Sequence, residues 1–557
     1  MAEEFDLIVL GSGAAGLSAA VTAAHCGLRV AVLEKAPVMG GTSAWSGGWI
    51  WAPGNPVARR AGLNDAPDAP RRYLQAVLGN HFDAPRVDAF LAAAPRMVGF
   101  FEDNTALQFE GGLHIPDTYG DLPGAGTGGR SVIAQPYDGR KLGAAISLLR
   151  EPLPETTFRG LTIQSGADLK AFMNATRSAR SFAHVAGRVS RHLADLALHG
   201  RAMQLRNGSA LIARLLRSAL DKGVDLRVGV TVTGLIRSGG RVTGVDTASG
   251  PLIARACVVL ATGGFPHDAT RRAGLMPRDG EHLSLAVPTA TGDGARLAES
   301  VGGRFSADVA APAAYCPVSH AIWPDGRKGG FPHIIERGKP GLIGVLADGR
   351  RFCNEGLGYH DYVRALLAAV PKDQPARSWL ICDHRFIRRF GLGIVRPAPV
   401  PLGGWLRSGY LKRGATLDEL ASVAGIDPKG LTRTVAAFNR HAARGEDPEF
   451  GRGTTPYMRL QGDPDQRPNP CLAPIIKAPF YAVDVVPGSF GTFAGIVTDG
   501  DARVTGPDGQ PIPGLYAAGT DSLGVFGGHY PAGGINLGPA LTFGFIAARH
   551  AAGKDAS

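Results

Sequence analysis

Two short stretches at opposite ends of the chain hold residue types that do chemistry. The first is Gly11-Ser12-Gly13-Ala14-Ala15-Gly16, between an apolar run (Phe5 to Leu10) and an alanine-rich segment that continues to about Cys26. Glycines at this spacing allow a tight turn at Gly11, a close backbone approach to a pyrophosphate at Gly13 and close helix–strand packing at Gly16. The helix that starts at Ala14 and Ala15 turns its unpaired N–H groups toward the phosphates. A second apolar run, Arg29 to Leu33, ends on Glu34 and Lys35. Glu34 sits close to the spacing, about 20 residues, at which an acid meets a ribose. Strand, glycine turn, helix, strand and acid together read as a dinucleotide site. The second stretch is GHYPAGGINLGPALTFG, residues 528–544, where Tyr530 precedes a proline and a glycine pair. It is as glycine-rich as the first and lies some 500 residues away, which raises the question of what it serves.

The elements that must position these residues belong to a large globular chain. Glycine accounts for 78 of 557 residues, about twice the usual share of ~7%. The glycines cluster without a collagen-like period, so they mark tight turns and close approaches. The net charge of +11 is carried by scattered arginines and lysines. No basic run or aromatic-interleaved basic motif is present, which argues against a nucleic-acid partner. Six cysteines form no C-x-x-C pair, so they read as reduced core residues. Fifteen histidines without H-E-x-x-H spacing give no metal site, and no G-x-S-x-G suggests hydrolysis. The acidic start MAEEF leads at once into a strand, so no signal peptide is expected. No apolar run reaches the ~18 residues of a membrane span. The expectation is a cytoplasmic chain, with peripheral contact to a membrane surface left open.

The segment after Glu34, MGGTSAWSGGWIWAPGN (Met39 to Asn55), is a second glycine loop. Its Gly41, Thr42, Ser43, Gly47 and Gly48 resemble the flavin loop of the fumarate reductase/succinate dehydrogenase flavoprotein superfamily, which includes the 3-ketosteroid dehydrogenases. The resemblance implies FAD. Members that attach the flavin covalently use a histidine in this loop, and none lies here, so non-covalent FAD is expected. The likeness continues through Val232 at an adenine contact and CVVLATGGF with Ala261, Thr262 and Gly263. It extends to GRRFCNEGLGYHDYV and to GLYAAGTDS with Gly519 and Asp521. The last helix, with Asn536 and Leu537 at its start, is implied to face the flavin. Only one G-x-G-x-x-G occurs, so no separate NAD(P)H domain is expected. The implied fold is α/β: a Rossmann-like FAD-binding domain (parallel sheet, helices, small β-layer) with an inserted α+β catalytic cap. Its expected parts are 1–283, cap 284–474, and a return at 475–557. The remote glycine cluster is then where the chain comes back to complete the flavin site.

Within that superfamily the groups facing the flavin differ. Fumarate reductases clamp a dicarboxylate with arginines and histidines, whereas this chain has Tyr530, Phe490 and, near Tyr359, another aromatic residue at the matching positions. Tyr530-Pro531-x-x-Gly534 instead resembles the 3-ketosteroid dehydrogenase motif, in which a tyrosine hydroxyl and a glycine N–H bind the ketone oxygen. Two fixed donors suit the negative charge that develops on a ketone oxygen when its α-proton leaves. The resemblance also implies a cap tyrosine as base, supported by a tyrosine from a Pro-Asp segment. AAYCPVS offers Tyr315 for the base, with Tyr359 and Tyr362 as alternatives, and PDTYGDLPG offers Tyr119 for the support. The expected function is FAD-dependent α,β-desaturation of a cyclic ketone, a 3-ketosteroid first and a substituted cyclohexanone second. An enoate reductase is a further alternative, and the electron acceptor stays unassigned.

Overall fold

The computed structural model describes residues 2–554. Strands β1 (Glu3–Leu10) and β2 (Val30–Glu34) are nearly continuous apolar runs, as parallel strands covered on both faces must be. Between them, α1 (Ala14–His25) is rich in alanine, so neighbouring backbone can lie close to it. Strand β3 (Asp225–Val228) pairs parallel with β2, and β4 (Gly250–Leu260) pairs parallel with β1, Leu7 opposite Cys257. After the cap, Arg503–Thr505 pairs antiparallel with the next strand, Pro511–Ala517, which itself lies parallel to β4. An antiparallel hairpin, 232–238 with 241–247, leans on β4 as a small β-layer. The result is a mixed α/β domain with a parallel sheet, as the sequence implies.

A second sheet of seven strands forms the cap. Its centre is β6 (Phe480–Thr492), flanked by β5 (Ala313–Ile322) on one side and Ser378–Cys382 on the other. Residues 480–492, just past the expected return at 475, pair within this sheet, and the chain adds a strand to the first sheet only at Arg503–Thr505. By its residue types Pro487-Gly488 is a turn signal. In the sheet, Pro487 pairs with Pro317 and Gly488 with Cys316, and the strand runs straight through. A Cβ on Gly488 would lie 2.4 Å from Val318 Cγ2, so this glycine answers a packing demand.

Helix α2 (Ala179–His199) lies in the long excursion between the strands Tyr137–Asp138 and Gln204–Leu205, and α3 (Tyr359–Ala369) packs on β5. The final helix α4 (Leu537–Ala551) lies against α1, where the Ser18 hydroxyl donates to Leu541 O at 2.6 Å. A Cβ on Gly544 would meet Ala15 O at 2.4 Å. The late glycine cluster therefore returns physically to the first one. No helix among the described residues is long and apolar enough to cross a membrane.

Candidate active site

The glycine turn has the geometry its spacing predicts. Gly11 has φ +100°, and a Cβ there would sit 2.2 Å from Ala261 O; one on Gly16 would sit 2.0 Å from Gly11 O. Gly13, Gly41 and Gly47 are open: a Cβ would come no nearer than 3.5 Å to Ser43 Oγ from Gly13 and 3.8 Å to Gly13 Cα from Gly41. Glu34 is buried and accepts from Ser12 N (3.0 Å), Ser12 Oγ (2.6 Å) and Ala36 N (2.8 Å). An ionised carboxylate offers about four acceptor sites, so room remains for one ribose hydroxyl. Ser43 Oγ accepts from Ala14 N, and Thr42 Oγ1 from Val287 N, so the second glycine loop is tied to both the turn and the cap linker. Lys35 pairs with Asp293 at 2.5 Å.

Asp521 is buried and accepts from Thr262 N and from Gly264 N at 2.8 Å. It thereby clamps the Ala261-Thr262-Gly263 turn to the returning segment. A cavity lined by Gly519, Thr520, Asn536, Ala540, Thr492 and Phe493 opens beside this clamp, at the start of α4. Gly41 (φ +50°) and Gly48 (φ +79°) shape the loop, and Gly48 lies against Asn207, where a Cβ would meet Asn207 C at 2.6 Å. Val232, half-buried, opens the hairpin strand beside the core under the parallel sheet.

Tyr530 is buried at 7% exposure in the core that joins the two glycine clusters. Its hydroxyl oxygen accepts from the Tyr359 hydroxyl at 2.6 Å and from Asn536 Nδ2 at 3.2 Å. The two rings meet edge to face at 4.9 Å, and Phe490 stands edge-on to Tyr359 at 5.6 Å. With its oxygen receiving two hydrogen bonds, the Tyr530 O–H is left to donate elsewhere. Burial pushes both phenols well above the ordinary tyrosine range, while the bond from Tyr359 pulls Tyr530 back down. Gly534, at φ +105°, is pressed against Trp51, whose N–H donates to Gly534 O at 3.1 Å. Gly538 N donates to the same oxygen at 2.8 Å, and the Gly534 N–H has no acceptor among the described residues.

Residues 6–537 match the FAD binding domain family. The chain belongs to that family. Its cofactor is FAD, and the cradle of Gly11, Gly13, Gly16 and Glu34 fits it. The 4-oxocyclohex-2-ene-1-carboxylate 5-dehydrogenase of Sinomonas cyclohexanicum is 40% identical to it, over 98% of this chain and 93% of that one. The 3-oxosteroid 1-dehydrogenase of Mycobacterium tuberculosis (strain H37Rv) is 35% identical, over 99% and 98%. The crystal structure of 3-ketosteroid Δ1-dehydrogenase from Sterolibacterium denitrificans with 1,4-androstadiene-3,17-dione superposes with a TM-score of 0.91. That match has 34% identity and covers 99% of this chain and 100% of the other. This flavoprotein is an FAD-dependent oxidoreductase acting on CH–CH groups, a dehydrogenase of cyclic ketones.

The other tyrosines of this flavoprotein fall into different places. Tyr315 lies on β5 with its ring stacked on His360 at 5.3 Å, and it is His360, not Tyr315, whose ring neighbours Tyr530 at 5.7 Å. His360 Nδ1 accepts from Tyr315 N, and burial pushes this imidazole down to about 3, so it is neutral. Tyr362 is bonded to Ser378 inside the cap core. Tyr119 donates to Asp361 Oδ1 at 2.8 Å, and its backbone N–H donates to Tyr73 Oη. Tyr73 in turn donates to Pro531 O, and Thr118 N donates to the same carbonyl, so this loop pins the residue after Tyr530. Arg351, Glu355, Asp447 and Arg452 form a buried ion cluster that braces the loop leading into α3.

Asp361 is a site residue that sequence reasoning misses. Burial raises its carboxyl to about 6, against the pull of the Tyr119 hydrogen bond, Arg364 and Arg337, and its Oδ2 has no partner among the described residues. An acid whose folded pKa is raised favours folding in its neutral form. That stability is present below the unfolded pKa of 3.8 and is lost as pH rises through about 6. Asp361→Asn keeps the acceptor for Tyr119 and cannot ionise. Its melting temperature relative to the parent is therefore expected to climb from pH 4 to pH 6.5 and then level off. The full change corresponds to about 3 kcal/mol. A difference that stays flat across that range contradicts the assignment.

Proposed function

We propose that this enzyme converts a six-membered-ring ketone bearing a carboxylate into its α,β-unsaturated ketone, with Tyr359 and Tyr530 moving the α-proton as a pair. The hydrogen bond from the Tyr359 hydroxyl to the Tyr530 hydroxyl, 2.6 Å, carries this reading. With a ketone oxygen against Tyr530 Oη–H and Gly534 N–H, the α-proton passes to Tyr359 Oη. The Tyr359 proton passes to Tyr530 Oη, and the Tyr530 proton passes to the ketone oxygen. The product is the enol, and both phenols end as neutral as they began. Burial that disfavours either phenolate is no obstacle to such a transfer, whereas it would oppose a free tyrosinate base. Bound FAD, held non-covalently by the glycine cradle and Glu34, supplies the acceptor for the β-hydride. As the C=O re-forms the relay runs in reverse: the hydroxyl proton passes to Tyr530 Oη, and the Tyr530 proton passes to Tyr359 Oη. Tyr359 gives up one proton to solvent, so that one hydride and one proton leave the substrate and both phenols stay neutral.

Support for a carboxylated ring comes from Arg364. It is exposed on α3, four residues beyond His360 and on the same helical face. Its positive potential reaches Tyr119, Asp361, Tyr315, His360 and His529, and no carboxylate forms an ion pair with it among the described residues. The relative with 40% identity is named for a ring of this chemistry. A 3-ketosteroid is the second reading, favoured by the superposition on the androstadienedione complex.

The test compares kcat/KM for 4-oxocyclohexanecarboxylate and a 3-ketosteroid, with an artificial electron acceptor, in the parent and in Arg364→Ala. A preference for the acid in the parent, with a KM at least about tenfold higher in the variant, is the expected result. Faster turnover of the steroid, unchanged in the variant, moves the assignment to the second reading.

A further inference from the structure

Arg150 is a half-buried guanidinium without acceptors. It lies in the excursion between the strands Tyr137–Asp138 and Gln204–Leu205. Among the described residues its side chain forms no ion pair, and its buried Nε has no hydrogen-bond partner. The guanidinium carbon stands over the Trp45 ring at 5.6 Å. The charged group whose field reaches it is Glu34. That carboxylate is not its partner, being bonded to Ser12 and Ala36 instead. A buried donor left without an acceptor is costly, so a group outside the chain is required to meet it.

The backbone holds Arg150 against the cofactor cradle. Met39 N–H donates to Leu148 O at 2.6 Å, and Arg150 N–H donates to Met39 O at 3.0 Å. Trp45 Nε1 donates to Glu151 O at 2.9 Å. Residues 148–151 are thereby laid as a strap along the glycine loop that carries Gly41, Thr42 and Ser43. From the far end of the excursion, Arg201 donates to Ile146 O at 2.7 Å and to Leu149 O at 2.9 Å. Ser12 Oγ, which donates to Glu34, also accepts from Gly40 N at 3.0 Å. Loop, glycine turn and Glu34 are therefore one unit, and the strap adds a cation to it.

The chemistry of FAD says which of its groups answers that cation. The ribose hydroxyls and both ring systems are neutral, whereas the diphosphate carries two negative charges. Glu34 and Asp521 bring no positive charge to it, and Lys35 is held by Asp293 at 2.5 Å. The planar fork of a guanidinium matches two phosphate oxygens at once.

We propose that Arg150 is a further cofactor-binding residue, which pairs with the diphosphate of FAD and so ties the strap over it. The proposal rests on the FAD cradle and is independent of the ketone reading, since Arg150 has no part in the tyrosine pair.

The test dilutes the flavin-loaded full chain until FAD is released, and reads the Kd from the rise of free-flavin fluorescence. Arg150→Met keeps a flexible stem to lie over Trp45 and removes the charge. Its Kd for FAD is expected to be about tenfold to a hundredfold above that of the parent. Added salt is expected to raise the parent's Kd and to raise that of Arg150→Met distinctly less. Arg150→Lys, which restores the charge without the fork, is expected to fall between the two and to keep the parent's salt dependence. A Kd for Arg150→Met within about threefold of the parent's overturns the proposal. A raised Kd with an undiminished salt dependence also overturns it, and assigns Arg150 to packing on Trp45. Should Arg150→Met fail to fold, Arg150→Lys decides: a Kd about threefold or more above the parent's supports the pairing, and a smaller change overturns it.

Discussion

Tyr530→Phe is expected to lower kcat/KM for the ketone by about 10²–10³-fold, the usual cost of removing one donor from a developing oxyanion. The substitution keeps the ring and its edge-to-face contact with Tyr359, so the core that joins the two glycine clusters stays filled. It removes the only hydroxyl proton that two incoming hydrogen bonds, from Tyr359 and Asn536, leave free to point at a substrate. It also deprives Tyr359 of its acceptor, so the variant loses both the oxyanion donor and the exit for the Tyr359 proton. The visible spectrum of the bound flavin should persist. A loss below about threefold means that Tyr530 only packs.

Tyr359→Phe is expected to lower turnover by about 10²–10⁴-fold, the range of general acid–base catalysis. Tyr315→Phe is expected to stay within about twofold, since the Tyr315 ring, packed on His360, keeps its shape when the hydroxyl is removed. The two variants together decide which cap tyrosine takes the α-proton. Collapse of Tyr315→Phe with Tyr359→Phe intact returns the base to β5. If the proposed relay operates, a double variant, Tyr359→Phe/Tyr530→Phe, should lose little more than either single one.

Much of the cofactor cradle can be read directly from the chain, because its determinants are local. A glycine at φ +100° with a carbonyl 2.2 Å from any Cβ leaves its mark on the sequence as an obligatory glycine, and Glu34 comes at a fixed distance along the chain. The tyrosine pair is only half visible. Tyr359 and Tyr530 are 171 positions apart, and nothing in either local stretch specifies that their hydroxyls meet. From the chain Tyr315 comes first, with Tyr359 and Tyr362 as alternatives, and only with β5 and α3 side by side does the Tyr359 hydroxyl stand out as the one bonded to Tyr530. Asp361 cannot be picked out, because an acid in the first turn of a helix reads as an ordinary partner for the helix dipole. Gly488 misleads in the opposite direction: a Pro-Gly pair is a turn signal, and here the facing Val318 demands the glycine inside a strand. Helix α2 shows the limit of periodicity: its buried residues are Arg188, His192 and Asp195 while Phe182 and Leu193 are exposed, and spacing alone does not say which side faces the core.

The central claim is that the Tyr359–Tyr530 pair prepares a cyclic ketone for hydride loss to the bound FAD. It is tested most directly by mixing the purified yellow enzyme with 4-oxocyclohexanecarboxylate or a 3-ketosteroid in the absence of oxygen, and following the oxidised-flavin absorbance. Rapid loss of that band with one of the two ketones, slowed by about two orders of magnitude in Tyr359→Phe and Tyr530→Phe, is the predicted result. A band that persists with both ketones, or that bleaches as fast in the two variants as in the parent, contradicts the account.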